Sequence, residues 1–488
     1  MTSIDTLPDD VLLEIFKAHG YYNVDSFGVK REKAWQTLVH VCRRWRGIVF
    51  GSPRHLNLQL ICTERTPARD MLDVWPAFPL IVYYNDYETG SVDNVIAALE
   101  CSDRVYQIFL KIDGSRESDI LLGATQQPFP ELTYLELRSN YVETMAVVPD
   151  SFMGGSAPRL KHLSLNGIPF PGLPKLLLSA THLASLYLNR IPHSGYISPD
   201  RMVAVLSTLT SLKTLWLEFK SPRSCPDQAS RRPPPSTRSV LPSLVSLWFK
   251  GVSEYLDDLV ACIDAPQLIT LNITFFNDIE FDTPQLARFI SHTPKSKALE
   301  SVYITLWDWG AVFDFSSQTS RGSFKVIIWC RGLDWQVAAV EQVCTSCLPP
   351  LYMLEDLYFH EDSLSPPDRK DSVENREWLE LFRSFGAVKN LHLSPDLASL
   401  IAPALQELVE GRTSDVLPAL QNIFLKGLEW SGSVQESIGK LVAARQAANH
   451  PIVISAWADS ETDSETDSET DSETDSETDS EIDLESDD

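Results

Sequence analysis

The chain has 488 residues, of which 43% are hydrophobic, and a formal net charge of −26. Residues 459–488 hold 16 acids and no bases, which leaves a net charge of −10 on the other 458 residues. A mildly acidic body argues against nucleic acid as a partner, because phosphate contacts need clustered Lys and Arg. No apolar run reaches the ~18 residues of a membrane helix, and the polar start MTSIDTLPDD lacks a secretory signal, so we expect a cytoplasmic and/or nuclear protein without a membrane partner.

Two amphipathic helical stretches are predicted at the N-terminus, within residues 1–53. Pro8 suits the first turn of a helix, where its missing N–H costs nothing. The residues that follow at spacings of one and four form one apolar face: Val11, Leu12, Ile15 and Phe16. A second helix is predicted from about residue 32 to residue 50, with Trp45 on its apolar face.

These N-terminal residues resemble an F-box, the short three-helix module that docks a protein onto a ubiquitin-ligase scaffold. The resemblance is carried, in order, by Leu7-Pro8, Ile15-Phe16 and Val41-Cys42-Arg43-Arg44-Trp45. It implies that a Skp-type adaptor, and through it a cullin scaffold, would contact Pro8, Val11, Leu12, Ile15, Phe16 and Trp45. The stretch between Phe16 and Cys42 is longer than in a typical F-box. An ordinary helical cap on the next domain is the alternative.

Residues 54–457 carry a degenerate repeat of the form L-x-x-L-x-L. It begins ten times, at residues 132, 160, 183, 212, 244, 268, 299, 354, 388 and 420. Helical stretches lie between these phrases, and SFKVIIWC (323–330) is expected to supply a further strand in the long gap after residue 299. Strands alternating with helices at this period predict an α/β solenoid of the leucine-rich-repeat type, with a parallel sheet on its concave face and a C-terminal cap.

The whole arrangement resembles the large fungal class of F-box proteins with irregular leucine-rich repeats. The resemblance implies a substrate-recognition subunit of an SCF-type ubiquitin ligase, which is not an enzyme and uses no cofactor or metal. The sequence contains no HExxH, GxSxG or phosphate-binding loop of useful spacing. Two alternatives stay open: a protein-interaction scaffold outside any ligase, and a chaperone that binds basic proteins through an acidic tail.

A target-binding surface is predicted from the residue between the last two leucines of each phrase. This residue should point out of the solenoid, because side chains alternate along a strand. The candidate residues on the concave face are Tyr187, Trp216, Trp248, Tyr303, Tyr358, His392 and Phe424. Aromatic side chains in a row are typical of binding hot spots. The alternative is that they stack on one another and seal the sheet.

Two segments depart from the repeat pattern. Residues 220–240 are rich in Pro and Arg and are predicted to be a loop insertion. Residues 458–488 contain five DSET repeats and no apolar face, which predicts a disordered acidic tail. Each Ser and Thr of those repeats has an acid at the first and third positions after it, a context that resembles the preference of acidophilic kinases. The candidate phosphorylation sites are Ser460, Thr462, Ser464, Thr466 and Ser468; a low-complexity solubilising segment is the alternative.

Overall fold

A computed structural model describes residues 7–21, 32–52, 55–56, 58–74, 76–85, 90–112, 116–139, 147–222, 238–276, 283–293, 300–316, 323–330, 332–346, 351, 354–361, 373–410, 416–426 and 432–457. The α-helices in these ranges are α1 Asp9–Tyr21, α2 Glu32–Val41, α3 Arg43–Gly51, α4 Ala68–Val74, α5 Val92–Glu100, α6 Arg116–Ala124, α7 Leu173–Ser179, α8 Pro199–Leu206, α9 Ser253–Ala261, α10 Pro284–His292, α11 Leu333–Ser346, α12 Asn375–Arg383, α13 Pro395–Glu410 and α14 Gly432–Ala447.

The same described ranges contain eighteen β-strands. They are β1 Leu60–Cys62, β2 Leu80–Asn85, β3 Val105–Lys111, β4 Tyr134–Arg138, β5 His162–Asn166, β6 Ser185–Ile191, β7 Thr214–Phe219, β8 Ser239–Val240, β9 Ser246–Gly251, β10 Ile263–Asp264, β11 Thr270–Phe275, β12 Ser301–Trp307, β13 Gly310–Ser316, β14 Ser323–Trp329, β15 Asp356–Glu361, β16 Asn390–Leu393, β17 Asn422–Lys426 and β18 Val453–Trp457.

The L-x-x-L-x-L phrases form strands in which buried leucines alternate with residues that point to the other side of the sheet. In β7, Leu215 and Leu217 are fully buried, whereas Trp216 between them is only partly buried. The leucines therefore point towards the helices and the intervening residue points to the opposite side, as the two-residue period of a strand requires. We call the side of the sheet that the helices leave uncovered the open face.

Sixteen strands form one large sheet, in the order β1-β2-β3-β4-β5-β6-β7-β9-β11-β14-β13-β12-β15-β16-β17-β18. The predicted mixed α/β solenoid with a largely parallel sheet is confirmed at this level. The expectation of a wholly parallel sheet is wrong at one place. β13 runs antiparallel to both β12 and β14, so the segment expected to add parallel repeat strands folds as a meander.

The meander, which we define as β12, β13 and β14, also reverses the expected strand order. β14 pairs parallel with β11, and β12 pairs parallel with β15. Residues 323–330 therefore do supply a strand, as expected, but this strand pairs with β11, and β12 lies two strands farther away. The cause is local: a tight turn at residues 308–309 sends the chain back along β12 before a crossover can form.

The N-terminal helices number three rather than the two predicted. The second stretch breaks at Cys42, which has extended backbone angles of φ −158° and ψ 170°. Its Sγ accepts the N–H of Trp45 at 3.4 Å and so caps α3. A side-chain acceptor at this position satisfies one of the orphan N–H groups that every helix start leaves, which stabilises the break.

The core runs along the whole described chain as one apolar cluster, from Leu12 in α1 to Ile452 before β18. Each helix of the solenoid packs mainly on the helices of the adjacent repeats, such as α8 on α9 and α13 on α14. This nearest-neighbour packing is the signature of a solenoid. Among the described residues, no helix is both long and apolar enough to cross a membrane.

Candidate functional site: the open face of the sheet

The middle outward residues of fifteen strands form a single row across the open face. Strand register places them side by side in the order Tyr83, Phe109, Glu136, Ser164, Tyr187, Trp216, Trp248, Asn272, Lys325, Asp314, Tyr303, Tyr358, His392, Phe424 and Ser455. All seven candidate target-binding residues lie in this row. Whether they bind a target stays a prediction.

The aromatic side chains of the row stack on their neighbours. The rings of Trp216 and Trp248 lie 4.5 Å apart and within 4° of parallel. Tyr303 and Tyr358 lie 4.2 Å apart, and His392 lies 4.0 Å from Tyr358. Strands in a sheet are about 4.8 Å apart, so rings at matching positions meet face to face. Mutual packing therefore occurs, and it leaves mainly the ring edges as a rigid, partly exposed surface.

Charged residues on the open face are largely paired with one another. Lys250 donates to Glu218 at 3.0 Å, and its Nζ also lies 4.1 Å from the centre of the Trp329 ring. Tyr134 donates to Glu136 at 2.7 Å, and burial together with this hydrogen bond raises the pKa of the Tyr134 hydroxyl. Because these charges are satisfied internally, the face offers a partner mainly ring edges and a balanced set of polar groups.

Histidines in the stacks are kept neutral by their surroundings. Burial lowers the pKa of His392, and Asp356, whose Oδ1 is 3.8 Å from its Nε2, opposes that shift only in part. Burial likewise lowers the pKa of His162, which is stacked on Tyr134 with ring centres 4.2 Å apart. A neutral imidazole stacks as an aromatic ring and spares the face an unpaired buried charge.

The meander interrupts the aromatic row and builds a different surface. Its three adjacent strands present three cross-strand rows: Tyr303, Asp314 and Lys325; then Thr305, Val312 and Ile327; then Trp307, Gly310 and Trp329. An open groove of about 440 Å³ lies over the first two of these rows and over Trp307, with Trp309 from the turn as a further wall. The three tryptophans were missed from the sequence because none occupies the middle of an L-x-x-L-x-L phrase. The Trp-Asp-Trp-Gly run at a strand end was the available signal.

The groove has a rigid aromatic rim. The Trp307 and Trp309 rings lie 5.6 Å apart at 26°, and Trp309 meets Trp329 at 6.4 Å and 71°. Trp309 and Trp329 remain 43% and 40% exposed. Between Trp307 and Trp329 stands Gly310, where a Cβ atom would collide with the carbonyl oxygen of Ile328. The backbone of β13 therefore approaches the backbone of β14 closely at this point.

The six candidate adaptor-binding residues fall into two groups. Leu12 and Phe16 are 0% and 3% exposed, and the Phe16 ring packs on Trp45, which is itself partly buried, at 4.7 Å. Pro8, Val11 and Ile15 are exposed, and the latter two lie one helical turn apart on α1. The first group therefore holds α1 against α3 in this structure, and the second group forms the available surface.

Arg44 fixes the start of α1. Its guanidinium donates to Asp9 Oδ1 at 2.6 and 2.9 Å and to the carbonyl oxygen of Leu7 at 2.5 Å. The Val-Cys-Arg-Arg-Trp run thus caps α3 through Cys42, pins α1 through Arg44 and packs on Phe16 through Trp45. The candidate phosphorylation sites and most of the 220–240 insertion lie outside the described residues.

The geometry defines a class of protein: an α/β solenoid of the leucine-rich-repeat type with a helical N-terminal module. The sequence matches no protein-family model and no curated protein. Among solved structures, the leucine-rich repeat-containing protein LegL7 from Legionella pneumophila is similar over 79% of this chain and 97% of its own, with 13% sequence identity and a TM-score of 0.26.

Proposed function

We propose that this chain is the substrate-recognition subunit of an SCF-type ubiquitin ligase. In this proposal α1 docks on a Skp-type adaptor, which joins the chain to a cullin scaffold. The open face holds a target protein. The receptor itself performs no chemistry: it raises the local concentration of the target beside a conjugating enzyme that other subunits recruit.

The observation that carries the proposal is the exposed apolar stripe on α1. Val11 and Ile15 are 40% and 43% exposed on a helix whose other apolar side is already buried through Leu12 and Phe16. A three-helix module with the F-box-like residues in order, and with apolar side chains left on its surface, is suited to contact a partner helix. The row of stacked rings supports the target-binding half of the proposal, since rigid aromatic anchors lose little entropy on binding.

The test is a binding measurement with purified Skp-type adaptor and the full chain. The double variant Val11→Asp/Ile15→Asp should weaken adaptor binding by about 100-fold or more, because two charges would face a desolvated contact. Substitution of Leu12 or Phe16 is less informative, since loss of a buried side chain would unfold the module. A matched control is Val74→Asp, at an 80% exposed position at the end of α4, which should bind the adaptor normally.

The outcomes separate the ligase proposal from the alternative of an interaction scaffold outside any ligase. Circular dichroism should show that both variants keep their helix content. If the wild-type chain does not bind the adaptor, or if the double variant binds as tightly as the wild type, the ligase proposal fails.

A second candidate function, an interaction scaffold outside any ligase, is favoured by one observation. The N-terminal module packs on the solenoid as a cap: Phe50 meets Phe78 at 5.8 Å, and Glu14 meets His55 at 2.8 Å. A cap is needed by any solenoid, whether or not it joins a ligase. This candidate predicts no adaptor binding together with intact target binding on the open face.

A further inference from the structure

We infer that the meander groove binds an uncharged aromatic side chain from a segment of the target protein. The inference deepens the proposed target-receptor role and rests on it. In this groove the described open face is recessed, and two tryptophans, Trp307 and Trp309, line the recess. A recess lined by rigid aromatic rings is where a hot-spot side chain gains most from burial.

Shape argues for a large planar guest. The rings of Trp307 and Trp309, which both line the groove, lie 5.6 Å apart at 26° and together form an aromatic wall. Tyr303 adds a third ring to the lining. A ring that enters the groove could stack on one of these rings or meet it edge-on, the two arrangements that aromatic pairs prefer.

Charge argues against a charged guest. The acid in the groove, Asp314, lies opposite Lys325 on the adjacent strand, and Lys250 beside Trp329 is paired with Glu218. A lysine or arginine guest would meet the resident Lys325, and an acidic guest would compete with the resident Asp314. A neutral aromatic side chain meets neither penalty.

Size and exposure argue for a protein segment as its carrier. A groove of about 440 Å³ suits one large side chain with its flanking backbone. It is open along the sheet and continues into Tyr303 and Tyr358 of the aromatic row. A segment anchored in the groove could therefore extend across the rings of β15 and β16, where a free small molecule would make no further contact.

The test uses the full chain and a defined peptide panel measured by ligand-observed NMR. Capped nine-residue Gly/Ser peptides carry a central Trp, Phe, Leu, Lys or Asp, and N-acetyltryptophanamide represents the free side chain. The Trp and Phe peptides should bind about tenfold more tightly than the Lys and Asp peptides and the free amide. Trp309→Ala should weaken the Trp peptide by about tenfold, because it removes one wall. Trp335→Ala, at a 53% exposed position on α11, is the matched control and should change binding by less than about twofold.

Three results would overturn the inference: no binding of the Trp peptide at about 1 mM, equal binding by Trp309→Ala and wild type, or preference for the Lys or Asp peptide. Equal affinity for N-acetyltryptophanamide would show a small-molecule site instead. Adaptor binding measured on the same samples keeps the two proposals distinct. If the chain binds the Trp peptide but not the adaptor, the groove inference stands and the ligase proposal fails. If it binds the adaptor but not the Trp peptide, the ligase proposal stands and the groove inference fails.

Discussion

At the scale of single residues, the repeats are joined by side chains that hydrogen-bond to the backbone of the neighbouring repeat. Asp257 is the clearest example. It lies on α9 and is 4% exposed, yet its Oδ1 accepts the N–H groups of Gln285 and Leu286 at 2.9 Å each. These two residues are in the first turn of α10, whose own N-cap, Thr283, makes no side-chain cap. A carboxylate from one repeat thus caps the helix of the next and meets its positive end.

Replacement of Asp257 should therefore loosen α10 specifically. We expect Asp257→Ala to lower the free energy of unfolding by about 2 kcal/mol, because two buried N–H groups lose their acceptor. Asp257→Asn should cost less than half of that, since its amide oxygen can still accept while only the charge is lost. Urea denaturation of the three proteins would measure the order. Equal destabilisation by Ala and Asn would show that the negative charge, and not the acceptor, supports the helix.

His392 makes the stability of the C-terminal repeats depend on pH. Its ring lies between Tyr358 at 4.0 Å and Phe424 at 4.4 Å, and burial holds its folded-state pKa below the ordinary value of 6.5. The unfolded chain therefore takes up a proton at a higher pH than the folded chain does. The stability contribution is complete above the unfolded pKa and falls as the pH drops through it.

We accordingly expect a lower melting temperature at pH 5.5 than at pH 7.5. His392→Phe keeps the stack and removes the titrating group, so it should reduce the difference between the two temperatures. Thermal unfolding followed by circular dichroism at both pH values is the measurement. A variant with the same pH difference as the wild type would assign the effect to other groups, with His162 as the first to examine.

At the scale of elements, the sequence predicted what local periodicity determines and missed what long-range pairing determines. Each L-x-x-L-x-L phrase became a strand, because alternation of buried leucines is a local property. The break at Cys42 depended on a thiol cap, and the order of β12 and β14 depended on which meander edge reached β11. The middle-row residues were found because their position follows from alternation. The tryptophan groove was missed because three strands must pair before it exists.

Two glycines allow the meander to be tested by a matched pair of substitutions. A Cβ at Gly310 would collide with the backbone of β14, whereas Gly439 in the interior of α14 has nothing within 4 Å of its Cβ position. Gly310→Ala should lower the free energy of unfolding by about 2 kcal/mol or more, because a backbone atom must move. Gly439→Ala should raise it by about 0.5–1 kcal/mol through helix propensity. Chemical denaturation of both variants gives the sign of the change in the free energy of unfolding. A Gly310→Ala variant as stable as the wild type would contradict the close contact between β13 and β14.

At the scale of the whole molecule, we expect a destabilising change to loosen the repeats near it more than the repeats at the far end of the chain. The helices of the solenoid contact mainly adjacent repeats, and the apolar cluster has two ends that must be covered. The N-terminal module covers one end, and α14 with β18 covers the other. The formal charge is also unevenly distributed: 16 acids lie in residues 459–488, and the rest of the chain is only mildly acidic. The buried side of α1 belongs to the N-terminal cap, and its exposed side is the surface that we propose for docking.

A pair of buried phenylalanines at opposite ends tests this distribution. Phe16 in α1 is 3% exposed and Phe385 after α12 is 1% exposed. Each change to Ala should cost about 3–5 kcal/mol locally, through lost burial and the cavity left behind. In a solenoid the loss spreads to adjacent repeats first. Hydrogen exchange followed by mass spectrometry should then show faster exchange in β1–β3 for Phe16→Ala and in β15–β17 for Phe385→Ala, with the opposite end unchanged. Equal acceleration throughout both variants would show that the chain unfolds as one cooperative unit, and that the module is as much a part of the solenoid core as any repeat.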